Sequence, residues 1–385
     1  MPGADDDRRA LTRQELTASV KSDAIAAGFD LAGIAPAVSP AGFPRFQEWL
    51  KAGFAGEMQY LPRREAAYEH PRHVSPRVVS IVMLAMNYRT QPPLPAGPHQ
   101  GRIARYAWGT VDYHDLLRDR LRSLSDRMHA RSPGCTTRGV VDTAPLLERD
   151  FGRLAGLGWF GKNTMLINKR AGSWLLLAAL LTDLDLEPDL PHATSHCGTC
   201  TRCLDVCPTN AFVAPYVLDA RKCISYLTIE LKGAIPVELR GGMGEWMFGC
   251  DLCQDVCPWN TKAPVTSRSE YQPQADLNPA DARSMLAMDR EQFQQRFAGT
   301  PLERPGHEGM RRNAIVVLGN HGDSAAIPEL VAALHDHSAV IRGTAAWALG
   351  NLTDERARQA LQSASKSECN PEVLQEIREA LARSG

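Results

Sequence analysis

The apolar and polar positions of the first two hundred residues switch between helix-like and strand-like spacing. Residues 13–35 place apolar side chains at helical intervals up to Gly28 and continue into the short apolar run "FDLAGIAP", which predicts a helix followed by a strand. Residues 78–88, "VVSIVMLAMNY", form one apolar run of strand length, which is typical of a buried central strand. Residues 112–130 then return to a helical pattern.

The next segment, residues 138–163, reads "RGVVDTAPLLERDFGRLAGLGWFGKN". It predicts a short strand, a turn at Ala144–Pro145 and a helix. Residues 172–182, "GSWLLLAALLT", are apolar throughout, and periodicity does not decide between a buried strand and a buried helix. Strands that alternate with helices predict an α/β (α+β) domain over residues 1–190.

The second half of the chain divides into three predicted parts. The proline-bearing stretch "LEPDLPHATSH" marks a boundary before a cysteine-rich module at 191–265, and residues 266–304 form a linker or wrapping segment. Segments that begin at Met310 and Ile341 then repeat with a period of 31 residues. A helix–turn–helix repeat of this length predicts a HEAT-like α-helical domain over 305–385, and such stacks offer an extended surface to a large partner.

Composition and charge are those of an ordinary globular protein. The chain has 385 residues, of which 44% are hydrophobic and 23% charged, and a formal net charge of −1. Binding to a polyanion therefore depends on a local basic patch. No apolar run reaches the roughly 18 residues of a transmembrane helix, and the polar first ten residues lack the apolar core of a signal peptide. We therefore expect a cytoplasmic protein with reduced thiols and no membrane contact.

Seven of the ten cysteines lie in two closely spaced runs. Residues 196–208, "HCGTCTRCLDVCP", have the spacing C-x2-C-x2-C-x3-C-P, and residues 250–258, "CDLCQDVCP", have the spacing C-x2-C-x3-C-P. The first is the ligand run of bacterial ferredoxins, in which the fourth cysteine binds the other cluster. Two [4Fe–4S] clusters need eight thiolates, and Cys223, between the runs, is available as the eighth.

Because the last cysteine of each run binds the other cluster, four thiolates can be assigned to each predicted cluster. One cluster takes Cys197, Cys200, Cys203 and Cys257, and the other takes Cys207, Cys223, Cys250 and Cys253. Zinc held by two C-x2-C pairs is the alternative, but it leaves two cysteines of the first run and both Cys-Pro endings without a purpose. Cys135 and Cys369 have no assigned role. Because a ferredoxin needs only a fraction of this length, the remaining residues favour an enzyme that consumes the electrons.

Several stretches of the chain resemble the epoxyqueuosine reductase family. They include "VVDTAPLLERDFGRLAGLGWFGKNTMLI", "RKCISYLTIELKG", "GCDLCQDVCPWN", "RYAWG", "DYH" and "RRNAIVVLGN". The resemblance implies the last step of queuosine biosynthesis, in which an epoxide on the modified wobble base of tRNA is reduced to an alkene. It also implies a cobalamin in the N-terminal domain, recharged by the two [4Fe–4S] clusters.

The resemblance also assigns roles to individual residues. Asp142, in "VVDTAP", matches the family's proposed general acid, and a carboxyl group above an apolar corrin should have a raised pKa; capping of the following turn is the plainer reading. Because the chain has no D-x-H-x-x-G pattern, we expect no protein imidazole on cobalt and a structural role for His114. The candidate cofactor contacts are Tyr68, Arg105, Tyr106, Asp142, Lys162, Asn163, Ser225 and Asp251.

The predicted partners follow from the same resemblance. Candidate phosphate contacts on tRNA are Lys232, Arg311, Arg312 and Arg342, although a solvated charged face would look the same. Trp259, beside Cys257, is expected to shield a cluster. We expect a monomer served by an external electron donor such as a flavodoxin or ferredoxin system. Two other functions stay open, namely a reductive dehalogenase-like corrinoid enzyme acting on a small molecule and a two-cluster electron carrier that docks a protein partner.

Overall fold

A computed structural model describes residues 11–383, and the first half of this range forms a sheet covered by helices. Its elements are α1 (Arg13–Ala26), β1 (Leu31–Pro36), α2 (Phe43–Lys51), α3 (Glu65–Tyr68), β2 (Ser80–Asn87), β3 (Gln100–Ile103), α4 (Tyr113–Arg131), β4 (Thr137–Val140), α5 (Glu148–Leu154), β5 (Trp159–Phe160), β6 (Leu166–Ile167) and β7 (Leu175–Thr182). The predicted helix and strand over residues 13–35 are confirmed, as are the helix over 112–130 and the strand, turn and helix that follow it.

The main sheet has the strand order β1-β2-β7-β4. Every residue of β2 is buried, because this strand lies between two others and apolar side chains cover both faces of the sheet. The predicted central strand is therefore confirmed, and the apolar run at 172–182 is a strand, β7. All three strand pairs are antiparallel, so the α+β form of the predicted fold class is the correct one.

The cysteine-rich part consists of short elements separated by loops. They are α6 (Arg202–Asp205), β8 (Phe212–Ala214), β9 (Val217–Leu218), α7 (Ile224–Ile229), α8 (Val237–Arg240), β10 (Trp246–Phe248), α9 (Leu252–Asp255) and α10 (Pro258–Thr261). Helix α6 follows the first two cysteines of the first run, and α9 occupies the corresponding place in the second. The two runs thus adopt the same local fold.

The segment predicted as a linker is an integral part of the structure. It contains β11 (Ala280–Asp281), α11 (Ala282–Ala287) and α12 (Arg290–Phe297). Strand β3 pairs in parallel with β10 and antiparallel with β11, so one small sheet joins three of the predicted parts. One apolar core runs from Ile103 to Ala380. This core crosses the predicted limits at 190, 265 and 304, whereas two further cores lie mainly within residues 1–190, and the limits stay predictions.

The C-terminal part is helical, as the repeat predicts. Its helices are α13 (Gly306–His321), α14 (Ile327–Ala333), α15 (Ala339–Gly350), α16 (Glu355–Ser367) and α17 (Pro371–Arg383). Gly319 and Gly350 occupy the same repeat position. A Cβ added at Gly319 would lie 3.0 Å from the Cα of Ala348, and one at Gly350 would lie 2.6 Å from the Cα of Ala380. The repeated glycine thus lets successive helices approach closely.

No helix within residues 11–383 has the length and apolar character needed to cross a membrane. The first ten residues, on which the expectation about a signal peptide rests, lie outside the described range.

Candidate active site and cluster-binding cysteines

Asp142 lies in the loop after β4, beside the first residues of α4. The His114 Nε2 atom is 2.6 Å from the Asp142 Oδ1 atom, and the Tyr113 hydroxyl donates to the Oδ2 atom. The other ring nitrogen of His114 is 2.6 Å from the carboxylate of Asp112, the residue that caps α4. The start of α4 therefore orients both oxygens of Asp142.

The charges in this group stabilise one another. Burial lowers the pKa of His114, but hydrogen bonds to Asp112 and Asp142 outweigh it and raise that pKa from 6.5 to about 9. For Asp142, burial raises the pKa, whereas the hydrogen bonds from His114 and Tyr113 lower it more, and the net shift is downward. The prediction of a raised pKa for Asp142 is thus wrong for the chain's own residues. At neutral pH the proton that Asp142 and His114 share resides on the imidazole of His114.

His114 offers no free nitrogen to a metal ion, because both ring nitrogens face carboxylates. The expectation that His114 is no cobalt ligand agrees with this geometry. A corrin bound beside Asp142 would take no ligand from His114, and the residues present fit such a group in this respect. Asp142 remains accessible, since its side chain is 46% exposed.

Aromatic side chains connect Asp142 with the cysteine-rich part. The ring of Tyr106 lies edge-on to the ring of Tyr113, with centroids 5.7 Å apart, and also contacts Phe248 of β10 at 5.9 Å. Tyr68, another predicted cofactor contact, is buried against Phe46, with ring centroids 4.8 Å apart. Of these two tyrosines, only Tyr106 contacts Tyr113, the residue that donates a hydrogen bond to Asp142.

A rim of polar side chains lies close enough to Asp142 to interact with its charge. The Arg304 guanidinium lies 5.9 Å from the ring centroid of Tyr60 and is 3.0 Å from the Glu230 carboxylate. Burial first, and then the charges of Glu230 and Asp142 among others, raise the pKa of Tyr60 to about 12. The Lys232 ammonium donates to the Arg304 carbonyl. Residues from three of the predicted parts therefore meet at this site.

Arg105 and Asp251 form a buried ion pair. The guanidinium of Arg105 is 3.0 Å from Asp251 and 2.8 Å from Asp255, and it lies 4.4 Å from the ring centroid of Trp174. Burial raises the pKa of Asp251 to about 6, although Arg105 opposes the shift. The guanidinium of Arg105 is thus engaged in buried ion pairs, and its contact with a cofactor stays a prediction. Ser225, on α7, is half-buried.

Lys162 and Asn163 brace the cysteine loops. The Lys162 ammonium donates to the carbonyls of Gly198 and Cys200, at 2.8 and 2.9 Å. The Asn163 amide donates to the carbonyl of Cys253 at 3.3 Å. These contacts explain why two polar residues follow "GWFG". A direct contact of either side chain with a cofactor stays a prediction.

All ten cysteines are free thiols. Electrostatic interactions link Cys203 and Cys257 with Cys197 and Cys200, and link Cys223, Cys250 and Cys253 with one another and with Cys207. These interactions follow the two predicted sets, except that Cys253 also interacts with Cys203 of the first set, and the assignment of ligands to each cluster stays a prediction. Within residues 11–383, no three His, Cys, Asp or Glu side chains meet at the spacing of one metal ion. A [4Fe–4S] cluster holds its thiolates farther apart than a single ion does.

Trp259 packs over the first of these sets. Its ring lies 5.0 Å from that of Trp159, and both rings belong to a small apolar cluster with Cys197 and Cys257. The indole therefore covers these thiols, as the sequence predicts.

The three arginines predicted to contact phosphate are engaged inside the protein. Arg312 is fully buried and donates to the carbonyls of Leu227, Leu231 and Gly233, so the prediction is wrong for this residue. Arg311 pairs with Asp336 at 2.7 Å and Arg342 pairs with Glu368 at 2.6 Å. Their phosphate contacts stay predictions.

Sequence reasoning missed the partners of Asp142 and the rim. The motif "DYH" can be recognised in the sequence, but nothing in its spacing places His114 against Asp142, which follows it by 28 positions. An Asp N-cap at the start of a helix is the available signal, since such caps fix nearby side chains. Tyr60, Glu230 and Arg304 carry no local signal, because only the tertiary fold brings them together.

Three family models match separate parts of the chain. The family model described as "Epoxyqueuosine reductase QueG, DUF1730" matches residues 69–143. The model "4Fe-4S double cluster binding domain" matches residues 196–260, and "HEAT repeats" matches 302–382. The chain therefore has the features of a protein with two [4Fe–4S] clusters and helical repeats.

Whole-chain relatives have a common name. Epoxyqueuosine reductase of Pseudomonas aeruginosa is 40% identical over 339 residues, which cover 87% of this chain and 94% of the relative. The Escherichia coli enzyme of that name is 36% identical over 356 residues, which cover 90% and 92%.

Solved structures give the same result. A crystal structure of epoxyqueuosine reductase with an epoxyqueuosine-modified tRNA-Tyr stem loop matches with a TM-score of 0.91 and 32% identity, covering 97% of this chain and 100% of that one. The Bacillus subtilis enzyme, with its catalytic aspartate loop swung out of the active site, matches with a TM-score of 0.89 and 31% identity over the same shares of the two chains.

Proposed function

This chain belongs to the epoxyqueuosine reductase family, and we propose that it reduces the epoxide of epoxyqueuosine, at the wobble position of tRNA, to the alkene of queuosine. The observation that carries the proposal is the Asp142–His114 pair, an accessible acid–base group where the N-terminal part, the cysteine-rich part and the segment 266–304 meet. A reductive dehalogenase-like enzyme and an electron carrier are not favoured, because the relatives that match over 94% and 92% of their length are named epoxyqueuosine reductase.

The two sets of cysteines would hold the [4Fe–4S] clusters, which transfer electrons one at a time. Cobalamin, when bound, supplies a cobalt centre that can deliver two electrons to carbon. Of the candidate cofactor contacts, Asp142 and Tyr106 belong to the accessible site, whereas Lys162 and Asn163 support the loops that carry the cysteines. The electron donor is predicted to be a low-potential carrier such as a flavodoxin or ferredoxin, and the protein is predicted to act as a cytoplasmic monomer.

Asp142 and His114 act as one proton donor. His114 holds the proton at its Nε2 atom, 2.6 Å from Asp142 Oδ1, and Asp142 faces solvent. A proton passes from the imidazolium through the carboxyl group to the departing epoxide oxygen. Tyr113 keeps the other carboxylate oxygen in place. General acid catalysis of this type contributes about 10²–10⁴ in rate.

The rim supplies the local positive charge that the net charge of −1 does not. Lys232 is exposed, and the Arg304 side chain is 53% exposed. Arg64, another exposed cation, donates to the carbonyl of Thr143 in the Asp142 loop. Phosphates bound here would hold the anticodon next to Asp142. Replacing Lys232 by Ala should weaken tRNA binding. It should also reduce the slope of the logarithm of the binding constant against the logarithm of the salt concentration by about one.

The function can be tested anaerobically with the reconstituted protein. Wild-type protein offered iron, sulfide and cobalamin should bind about eight iron atoms and convert epoxyqueuosine-containing tRNA to queuosine. Asp142→Asn should keep its iron and cobalt but lose about 10²–10⁴ in rate. Full iron content without queuosine formation in the wild type would refute the proposed function.

A further inference from the structure

The reaction needs more protons than the Asp142–His114 pair holds. Conversion of an epoxide to an alkene takes up two electrons and two protons and releases one water. The first proton binds the oxygen as one C–O bond breaks, and the second leaves with that hydroxyl as the other C–O bond breaks. The electrons come from the external low-potential donor. If the proposed function holds, a second acid must therefore supply the site.

Glu148 is a half-buried acid close enough to Asp142 to interact with its charge. It is the first residue of α5 and follows the short turn that begins after Asp142. Its Oε1 atom is buried and has no hydrogen-bond partner among residues 11–383. A buried carboxylate oxygen without a donor is strongly unfavourable, whereas the neutral acid is tolerated. We propose that Glu148 holds the second proton and passes it to Asp142 after the first has been used.

The charged groups around Glu148 keep it protonated. Burial first, and then the charge of Asp142, raise its pKa from 4.5 to about 8, while Arg149 and His114 lower it less. The Arg149 guanidinium donates to the carbonyl of Thr164, and the phenol of Tyr68, on α3, also senses the charge of Glu148. Asp142 and Glu148 therefore have pKa values shifted in opposite directions, the pattern of paired carboxyl groups with different tasks.

The test compares Glu148→Gln with Asp150→Asn in single-turnover reactions on an epoxyqueuosine-containing tRNA stem loop. Asp150 is a matched control, because it is a buried carboxyl group on the same helix. Its carboxylate accepts a hydrogen bond from the Gly42 amide. We expect Glu148→Gln to lose about 10²-fold in rate with unchanged substrate affinity. The decline of the wild-type rate near pH 8 should disappear, so that only the decline near pH 9 caused by His114 remains. Asp150→Asn should behave as the wild type, and Glu148→Asp should restore part of the rate.

Infrared spectroscopy of the free protein tests the proton itself. The wild type should show a protonated-carboxyl band at neutral pH that titrates near pH 8 and that Glu148→Gln lacks. A Glu148→Gln rate and pH profile equal to the wild type would overturn the proposal. So would the absence of this band, or a rate loss matched by equal losses in substrate affinity and thermal stability. If the wild type makes no queuosine but shows the band, the proposed function fails and the protonation of Glu148 stands.

Discussion

The imidazole of His114 keeps its charge because two carboxylates hold it. Its folded pKa, about 9, lies above the ordinary value of 6.5, so in this interval the folded protein binds more protons than the unfolded chain. The contribution to stability is therefore complete below about pH 6.5 and is lost as the pH rises through about 9. Asp112 and Asp142, whose pKa values are lowered, add stability that is lost only as the pH falls through the acidic range.

His114→Gln should test this coupling. The variant should be less stable than the wild type at about pH 6 and nearly equal to it at about pH 10, as measured by urea unfolding at both pH values. His129→Gln is the control, since it lies on the same helix and its ring contacts the hydroxyl of Thr137. A stability difference for His114→Gln that does not change with pH would contradict the assigned charge.

Arg312 shows how a motif that suggests RNA binding can serve the fold. Its guanidinium bonds to three backbone carbonyls of the segment 227–233, and burial lowers its pKa to about 10, so it stays charged at neutral pH. Lysine cannot form this fork. Arg312→Lys should therefore lower the free energy of unfolding by about 2–4 kcal/mol, because buried carbonyls lose their donors.

Denaturant unfolding of two variants would decide this point. Arg356→Lys is the comparison, because Arg356 pairs with Asp354 at the surface, where its side chain is 64% exposed; an exposed pair contributes less than about 1 kcal/mol. Equal stability of Arg312→Lys and Arg356→Lys would refute the structural role of Arg312 and return it to the candidates for phosphate binding.

Helix α15 contains two glycines in different surroundings. A Cβ at Gly350 would lie 2.5 Å from the Cβ of Ala380, whereas one at Gly343 would lie no closer than 3.6 Å to a neighbour. Gly350→Ala should therefore destabilise the repeats by about 1–3 kcal/mol through overpacking. Gly343→Ala should stabilise the helix by about 0.5–1 kcal/mol, since alanine is the better helix former. Thermal unfolding of both variants is the measurement, and shifts of the same sign would contradict the packing argument.

Local patterns predicted the elements well because their causes are local. The apolar run of β2 and the cysteine spacings depend on residues that are neighbours in the chain, whereas the run of β7 left strand and helix open. Strand β3 carries no such signal for its partners, which follow it by more than a hundred residues. The same limit explains the site: Asp142 could be singled out, but His114 and the rim around Arg304 come from separate elements that only tertiary packing brings together.

The predicted parts of the chain should unfold together. The core from Ile103 to Ala380 is continuous, and Asn313 of α13 donates to the carbonyls of Thr228 and Met247 in the cysteine-rich part. In the reconstituted protein, loss of helical circular dichroism and loss of cluster absorbance should therefore share one urea midpoint. Gly350→Ala should lower both midpoints, although it lies far along the chain from every predicted cluster ligand. If the helices unfold first while the absorbance persists, the repeats are an independent domain and the boundary at 304 is real.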